Sequence, residues 1–202
     1  MSKWLEAEVS DQSFDGELLT GEVVQDSKFE RCSFVSASLD SARFKSTHFE
    51  QCDFTRATFS DSKLLGCIFT NCRFVDASLF AVTFKGTRLI ACNMEGADLR
   101  AIKVEASDFS FSSFRMQNLE NLDLQKLKLI EADLYGANLS KSNLRNADLS
   151  RAILAQAKLD GADIKGANLE GIDLSQTSFI KTHIDIAQAI CISQSHGAIV
   201  EG

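Results

Sequence analysis

Cysteine and histidine are the side chains of this 202-residue chain best able to do chemistry, and four of its six cysteines are evenly spaced. Cys32, Cys52, Cys72 and Cys92 recur every twenty residues. Thiols stacked at that interval could form a ladder of soft-metal ligands or a chain of disulfides. Alternatively, each thiol is a small apolar side chain that fills an interior. The spacing of the surrounding residues decides between these interpretations.

A repeat of five residues runs through nearly the whole chain. Every fifth residue from Phe14 to Ile184 is Phe, Leu, Ile, Val or Met, at thirty-five positions without an insertion. A period of five fits neither the 3.6-residue turn of a helix nor the two-residue alternation of a strand. The repeat is therefore predicted to be the structural unit of a solenoid.

A second position, two residues before each large apolar residue, is small. From Ser27 to Thr182 it holds Ala, Ser, Thr or Cys at twenty-six of thirty-two positions, and ADLYGANLSKSNLRNADLSRA (132–152) adds Asp or Asn between the two. These residues resemble the pentapeptide-repeat family, whose motif is Ala, Asp or Asn, Leu and two variable residues. The resemblance covers roughly nine tenths of the chain. It implies an all-β solenoid, a right-handed quadrilateral β-helix with four repeats per coil and hence about nine coils.

Four repeats per coil place residues twenty apart in columns. The cysteine column falls in the small position, and Phe14, Phe34, Phe54 and Phe74 form a column in the large one. Column neighbours would lie about 4.8 Å apart with side chains pointing the same way, which favours interior packing over disulfides or metal ligation. The rod would be roughly 42 Å long. Nine of the eleven glycines occupy the position two residues after the large one, which is therefore predicted to be a corner.

Catalytic constellations are missing from the sequence. His48 and His183 fall on different sides of the coil, about seven coils apart, and His196 lies in the tail. There is no nucleophile elbow, phosphate-binding loop or Cys-x-x-Cys pair, and a convex rod offers no cleft to desolvate carboxylates. We therefore expect no enzymatic activity, no cofactor and no metal site. The chain starts without the apolar stretch of a signal peptide and lacks an apolar run of eighteen residues, so we expect a cytoplasmic protein without a membrane partner.

The N-terminal residues depart from the repeat. In the first three sides the small position holds Gln12, Glu17 and Glu22, and an unpaired carboxylate would be costly to bury there. Residues 1–13 are therefore predicted to be an N-terminal cap, and residues 14–184 the β-helix. The apolar residues predicted to cover the open end of the first coil are Trp4, Leu5 and Val9.

Residues 185–202 have the pattern of a short helix followed by an apolar tail. Asp185 and Gln188 are spaced as a capping box, and Gly197 is a suitable helix end. The segment carries more apolar surface than one coil end can cover, although a simple cap is the alternative. Family members of the Qnr and MfpA type end similarly and dimerise end to end, so we predict a homodimer. The predicted dimer residues are Ile186, Ala189, Ile190, Ser193 and Ile199.

Larger or polar residues interrupt the small position in the middle of the chain. Three of them occur in consecutive repeats, so the coil between Gln117 and Leu127 is predicted to widen or bulge. A deformed core and a shaped recognition surface are the two interpretations. The interrupted positions are Val82, Ile102, Gln117, Leu122 and Leu127.

Charge is unevenly distributed over the predicted walls of the rod. The net charge is −7, and the first thirty residues contribute eight acids and two bases. We call the wall centred on Phe34, Phe54 and Phe74 the acidic wall; it carries six acids, Asp15, Asp53, Asp76, Glu95, Asp133 and Asp173, against Arg56, Arg73 and Arg115. The opposite wall, the basic wall, carries six acids and eight cations, Arg43, Lys45, Lys63, Lys85, Lys103, Lys126, Arg145 and Lys165.

The family resemblance implies a partner for the acidic wall. Qnr and MfpA proteins bind DNA gyrase or topoisomerase IV as mimics of duplex DNA and thereby affect fluoroquinolone action, and the unbroken frame is closer in plan to the loopless MfpA kind. We predict a type II topoisomerase as partner, with no direct nucleic-acid binding. The predicted contact residues are Asp53, Asp76, Glu95, Asp133 and Asp173. The alternative is a generic interaction scaffold, because a fold does not fix a function.

Overall fold

The computed structural model describes residues 4–201; residues 1–3 of the predicted cap and residue 202 of the predicted tail lie outside the described residues. The elements are β1 (Trp4–Leu5), β2 (Glu8–Ser10), β3 (Val23–Gln25), β4 (Lys28–Glu30), β5 (Arg43–Lys45), β6 (His48–Glu50), β7 (Lys63–Leu65), β8 (Ile68–Thr70), β9 (Thr83–Lys85), β10 (Arg88–Ile90), β11 (Lys103–Glu105) and α1 (Ile186–Ser195). All strand pairs are parallel, in a six-stranded sheet, β1-β3-β5-β7-β9-β11, and a five-stranded sheet, β10-β8-β6-β4-β2.

Residues twenty apart pair with each other, which gives four pentapeptides per coil. Trp4 pairs with Val24, and Val24 with Phe44, in the six-stranded sheet. Isolated bridges of the same register continue along the rod as far as the pair Asp163 and His183. The predicted quadrilateral β-helix with a short C-terminal helix is confirmed, and the register agrees approximately with the nine coils expected. Within residues 4–201 no helix has the length and apolar character needed to cross a bilayer.

The large and small positions both point inward and fill one continuous core. Phe54, Leu64 and Leu144 are fully buried, as are Ala37 and Ala137 in the small position. The phenylalanine column predicted from the sequence is a stack of nearly parallel rings, whose centroids are 4.8 to 5.0 Å apart from Phe14 to Phe74. This distance equals the strand spacing, so each ring packs on the ring of the next coil.

The corner prediction for glycine is also confirmed. Gly16 has φ +67° and Gly171 has φ +74°, in the left-handed region that side chains disfavour. The same position keeps a positive φ in every described repeat from Glu6 to Lys181 except at Gln176. At Gly96 (φ +68°) an added Cβ would also meet the exposed carboxylate of Asp76, which would have to turn aside.

The cysteine column lies inside the coil, as the packing interpretation predicts. Cys32, Cys52, Cys72 and Cys92 are buried and unpaired by disulfides. Each thiol is directed at backbone carbonyl oxygens, for example from Cys72 to Phe49 at 3.4 Å. Burial raises the pKa of the neighbouring Cys67 thiol to about 11, so the thiol stays protonated and unreactive at neutral pH.

The hydrogen-bond ladder is interrupted in the middle of the rod, at the coil predicted to widen. Asp98 and Lys103 each donate a backbone N–H to the preceding coil at 2.9 Å. The equivalent bonds are absent one coil later, and both sheets end just before the gap. At the interruption, the ladder N–H groups that find no backbone acceptor within the described residues include those of Gly96, Leu99, Ala101, Val104, Ala106, Asn118 and Asp123.

Bulky residues in the small position explain this interruption. Gln117 follows Ala97 in its column, Leu122 follows Ile102, and all four are buried. The Gln117 amide donates to the carbonyl oxygen of Met94 inside the coil. Side chains of this size cannot stack at the strand spacing that suits Ala or Ser, so the coils separate locally.

We expect the amides at the interruption to exchange with solvent faster than those one coil earlier. Asn118 and Asp123 should exchange at least about tenfold faster than Asp98 and Lys103, because local opening there breaks no ladder bond. Hydrogen–deuterium exchange resolved by residue measures this directly. Equal protection of the two pairs would mean that the ladder is continuous in solution.

Both ends of the rod are closed by side chains near the predicted caps. At the N-terminus Trp4 packs on Phe14 and Phe29, with ring centroids 5.4 and 5.6 Å away, whereas Val9 is partly buried and Leu5 is exposed. At the C-terminus the Asp185 carboxylate accepts hydrogen bonds from the first turn of α1, and the capping box with Gln188 is complete. The helix start predicted from the sequence is therefore confirmed.

Candidate protein-interaction surface

The acidic wall is one continuous face of the rod. Isolated bridges link Ser13, Ser33, Asp53, Arg73, Asn93, Ser113 and Asp133 in one column. The residues that flank the large interior position point outward, and the carboxylates of this wall are half-buried or exposed. The basic wall contains the six-stranded sheet. The five-stranded sheet and a wall of isolated bridges separate the two, so the charge-bearing walls face in opposite directions.

Two of the five acids predicted to bind a partner are already engaged with arginine. Asp53 lies 3.9 Å from Arg73, and Asp133 lies 2.9 Å from Arg115. Arg115 also lies over the Tyr135 ring, 4.4 Å from its centroid. These contacts reduce the negative charge that the two carboxylates present to solvent, although exposed ion pairs are weak and can be exchanged for a partner.

The remaining three predicted acids are exposed and outside the ion pairs of the described residues. They are Asp76, Glu95 and Asp173. Hydrogen bonds from the side chain and the backbone N–H of Ser175 hold the pKa of Asp173 below its ordinary value, so its charge persists into mild acid. Asp15, on the same wall, likewise has a lowered pKa because Ser33 and the Val35 N–H donate to it.

A shallow depression opens on the acidic wall beside the interrupted coil. It lies between Glu95 and Arg115, and Met116 and Gly96 line its corner. The expectation of a purely convex rod is therefore modified at this place. The depression is open and combines one acid with one base, a composition suited to contact with another surface.

One face of the C-terminal helix α1 packs against the last coil, and the opposite face is exposed. Gln188 is buried and donates from Nε2 to the carbonyl oxygen of Ala167 at 2.9 Å, while Cys191 and Ile192 pack against the core. The predicted dimer residues lie on the other side: Ile186 is 81% exposed and Ser193 is exposed. Ala189 and Ile190 are partly exposed, and Ile199 in the tail is 88% exposed. An apolar surface thus remains uncovered at this end of the rod.

Comparison with family models matches the pentapeptide-repeat model, in eight copies, at residues 24–56, 52–79, 107–146 and 142–179. This chain is a pentapeptide-repeat protein. The matches leave out residues 80–106, which run up to and include part of the interrupted coil. Comparison with curated protein sequences finds no match.

The fold of this pentapeptide-repeat protein is that of QnrB1, described as a plasmid-mediated fluoroquinolone resistance protein. A trypsin-treated variant of QnrB1 superposes with a TM-score of 0.86 at 22% identity, over 99% of this chain and 100% of that one. A second trypsin-treated variant gives 0.68 at 24% identity, over 98% and 99% of the two chains. Full-length QnrB1 gives 0.52 at 22% identity, over 96% and 99%. At these identities the likeness shows the fold.

Sequence reasoning missed several features of this pentapeptide-repeat protein. Gln188 was recognised as half of a capping box, but its spacing does not indicate that its buried amide would donate to the carbonyl oxygen of Ala167 on the last coil. The exposed apolar side chains Leu18 and Val23, at the N-terminal end, were also missed. They occupy outward positions, and the alternation within the repeat could have identified them.

Proposed function

We propose that this pentapeptide-repeat protein binds a type II topoisomerase, DNA gyrase or topoisomerase IV, on the surface that otherwise holds duplex DNA. The observation that carries the proposal is the group of exposed carboxylates Asp76, Glu95 and Asp173 on one wall of a QnrB1-like rod. A DNA-binding surface is shaped for regularly placed negative charge and attracts such a wall. The proposed role is binding in the cytoplasm, with no catalytic residue and no cofactor.

The net charge of this chain is much lower than that of duplex DNA of the same length, so the proposed mimicry is limited to shape and to the acidic wall. Duplex DNA carries about one negative charge per 1.7 Å, hence roughly 25 over 42 Å, whereas this chain carries a net −7. A homodimer joined through the C-terminal helices would double the length and the charge but not the charge density. Binding should therefore depend on where the acids lie on the wall. Fluoroquinolone action should change only where the protein occupies the topoisomerase surface that holds the drug-sensitive DNA complex.

The test is a supercoiling assay with purified protein, gyrase and a fluoroquinolone. Reversal of Asp53, Asp76 and Glu95 to lysine should weaken binding and inhibition together, by at least about tenfold, while the solenoid stays folded. Asp76 and Glu95 should contribute most, because Asp53 is paired with Arg73. Inhibition by the parent protein should fade as salt rises, since exposed charges are screened over about 10 Å at 0.1 M.

The matched control reverses Lys63, Lys85 and Lys103 on the basic wall to glutamate, and inhibition should be unchanged or slightly stronger. Loss of inhibition in that variant alone would contradict the proposal.

The second candidate function, a generic interaction scaffold, is favoured by the arginines that neutralise Asp53 and Asp133. A protein that leaves both topoisomerases unaffected would support that alternative.

A further inference from the structure

The outer surface of the six-stranded sheet carries a dense group of cations. Arg43, Lys63 and Lys103 lie in one column of the register, with Thr83 between the last two. Lys45 and Lys85 lie in the parallel column, on either side of Leu65. We call these five side chains, Arg43, Lys45, Lys63, Lys85 and Lys103, the basic patch.

Most of the basic patch has no internal counter-charge. Within the described residues Arg43, Lys45, Lys63 and Lys103 form no ion pair, and all are exposed. Lys85 alone is paired, with Glu105 at 3.0 Å. The corner toward the five-stranded sheet carries the small residues Ser46, Gly66, Gly86 and Ala106. The opposite corner carries Ser41, Asp61, Ala81 and Ala101, so Asp61 is the one acid at the corners beside the patch.

We propose that the basic patch binds an acidic, extended segment of a partner protein. Glu105 already shows the contact that such a segment would make, a carboxylate against a patch lysine. From Arg43 to Lys103 the patch spans three strand spacings, about 14 Å, which matches four or five residues of extended chain. Leu65, half-buried between Lys45 and Lys85, offers an apolar contact at its centre.

The limits of the patch favour a short acidic segment over nucleic acid. The same wall carries Asp26 before the patch and Asp123 and Asp163 after it, so a duplex lying along the rod would meet carboxylates at both ends. The outward side chains of the strands include no aromatic residue on which single-stranded bases could stack. The net charge of −7 also repels a long polyanion at a distance.

A binding assay on the full chain tests this proposal with a labelled peptide of five glutamates. The parent protein should bind it at low salt, and reversal of Lys63, Lys85 and Lys103 to glutamate should weaken binding at least about tenfold. A control with the same change in net charge reverses Lys128, Lys158 and Lys181, which lie on other parts of the rod, and should lose much less. Glu105→Gln, which frees Lys85, should strengthen binding about twofold.

Three outcomes overturn the proposal. One is equal weakening in both reversal variants, which would reduce the effect to net charge. Another is tighter binding of a ten-base-pair DNA duplex than of the glutamate peptide, which would make nucleic acid the occupant. The third is no binding of the peptide by either the parent or Glu105→Gln. Topoisomerase inhibition is measured separately and does not enter this test.

Discussion

Replacement of Leu144 by alanine is expected to lower the free energy of unfolding by about 2–5 kcal/mol. Leu144 is fully buried in the large position, and its backbone N–H donates to the carbonyl oxygen of Asp163 in the next coil at 2.8 Å. Hydrogen bonds above and below hold the backbone in register, so the coil cannot collapse into the cavity that the substitution leaves. Thermal or denaturant unfolding followed by circular dichroism measures the change.

Leu18→Ala is the matched control for this substitution. Leu18 is 85% exposed, so the same change in side chain should alter stability by less than about 0.5 kcal/mol. In the opposite direction, Ala147→Leu should destabilise the fold by overpacking, because Ala147 is buried and lies where the backbone ladder is continuous. If Leu144→Ala and Ala147→Leu both unfold like the parent, the assignment of the interior is wrong.

Loss of the C-terminal apolar surface is expected to convert a homodimer into a monomer. A charge at Ile190, or a chain ended after Ile184, should prevent two apolar ends from meeting. Ile186→Asp is the sharper variant: the side chain is 81% exposed, and an acid in the first helical turn is favourable to the helix. Light scattering should show the mass fall from twice 22.2 kDa to 22.2 kDa.

Leu18→Asp places the same charge on an exposed apolar residue at the other end of the rod and should leave the dimer intact. A parent protein that is monomeric at high concentration would contradict the end-to-end dimer, and with it the long rod that the topoisomerase proposal uses. A dimer that survives both Ile186→Asp and removal of the tail would place the interface elsewhere on the molecule.

The repeat period alone predicted the interior of this protein residue by residue. The family resemblance implies four pentapeptides per coil, which brings residues twenty apart into contact and places Phe34 and Cys52 in columns. The corner at Gly96 and the disturbed coil at Gln117 follow from the positions of these residues within the repeat. The start of α1 after its N-cap, Asp185, was also predictable from local sequence, because a capping box is defined by two residues three positions apart. These features depend on contacts whose geometry the backbone repeat fixes.

Tertiary structure decided what the surface charges do. The twenty-residue register places Arg115 in the column of Glu95, but in the folded chain Arg115 pairs with Asp133 at 2.9 Å, and Glu95 forms no ion pair within the described residues. It also decided which side of α1 faces the core, because Gln188 finds the open carbonyl of Ala167 on the last coil. A long charged side chain on the surface can form several ion pairs of similar energy, whereas a buried leucine fits only one position in the core. For that reason the core was predictable from the sequence and the pairing of the charges was not.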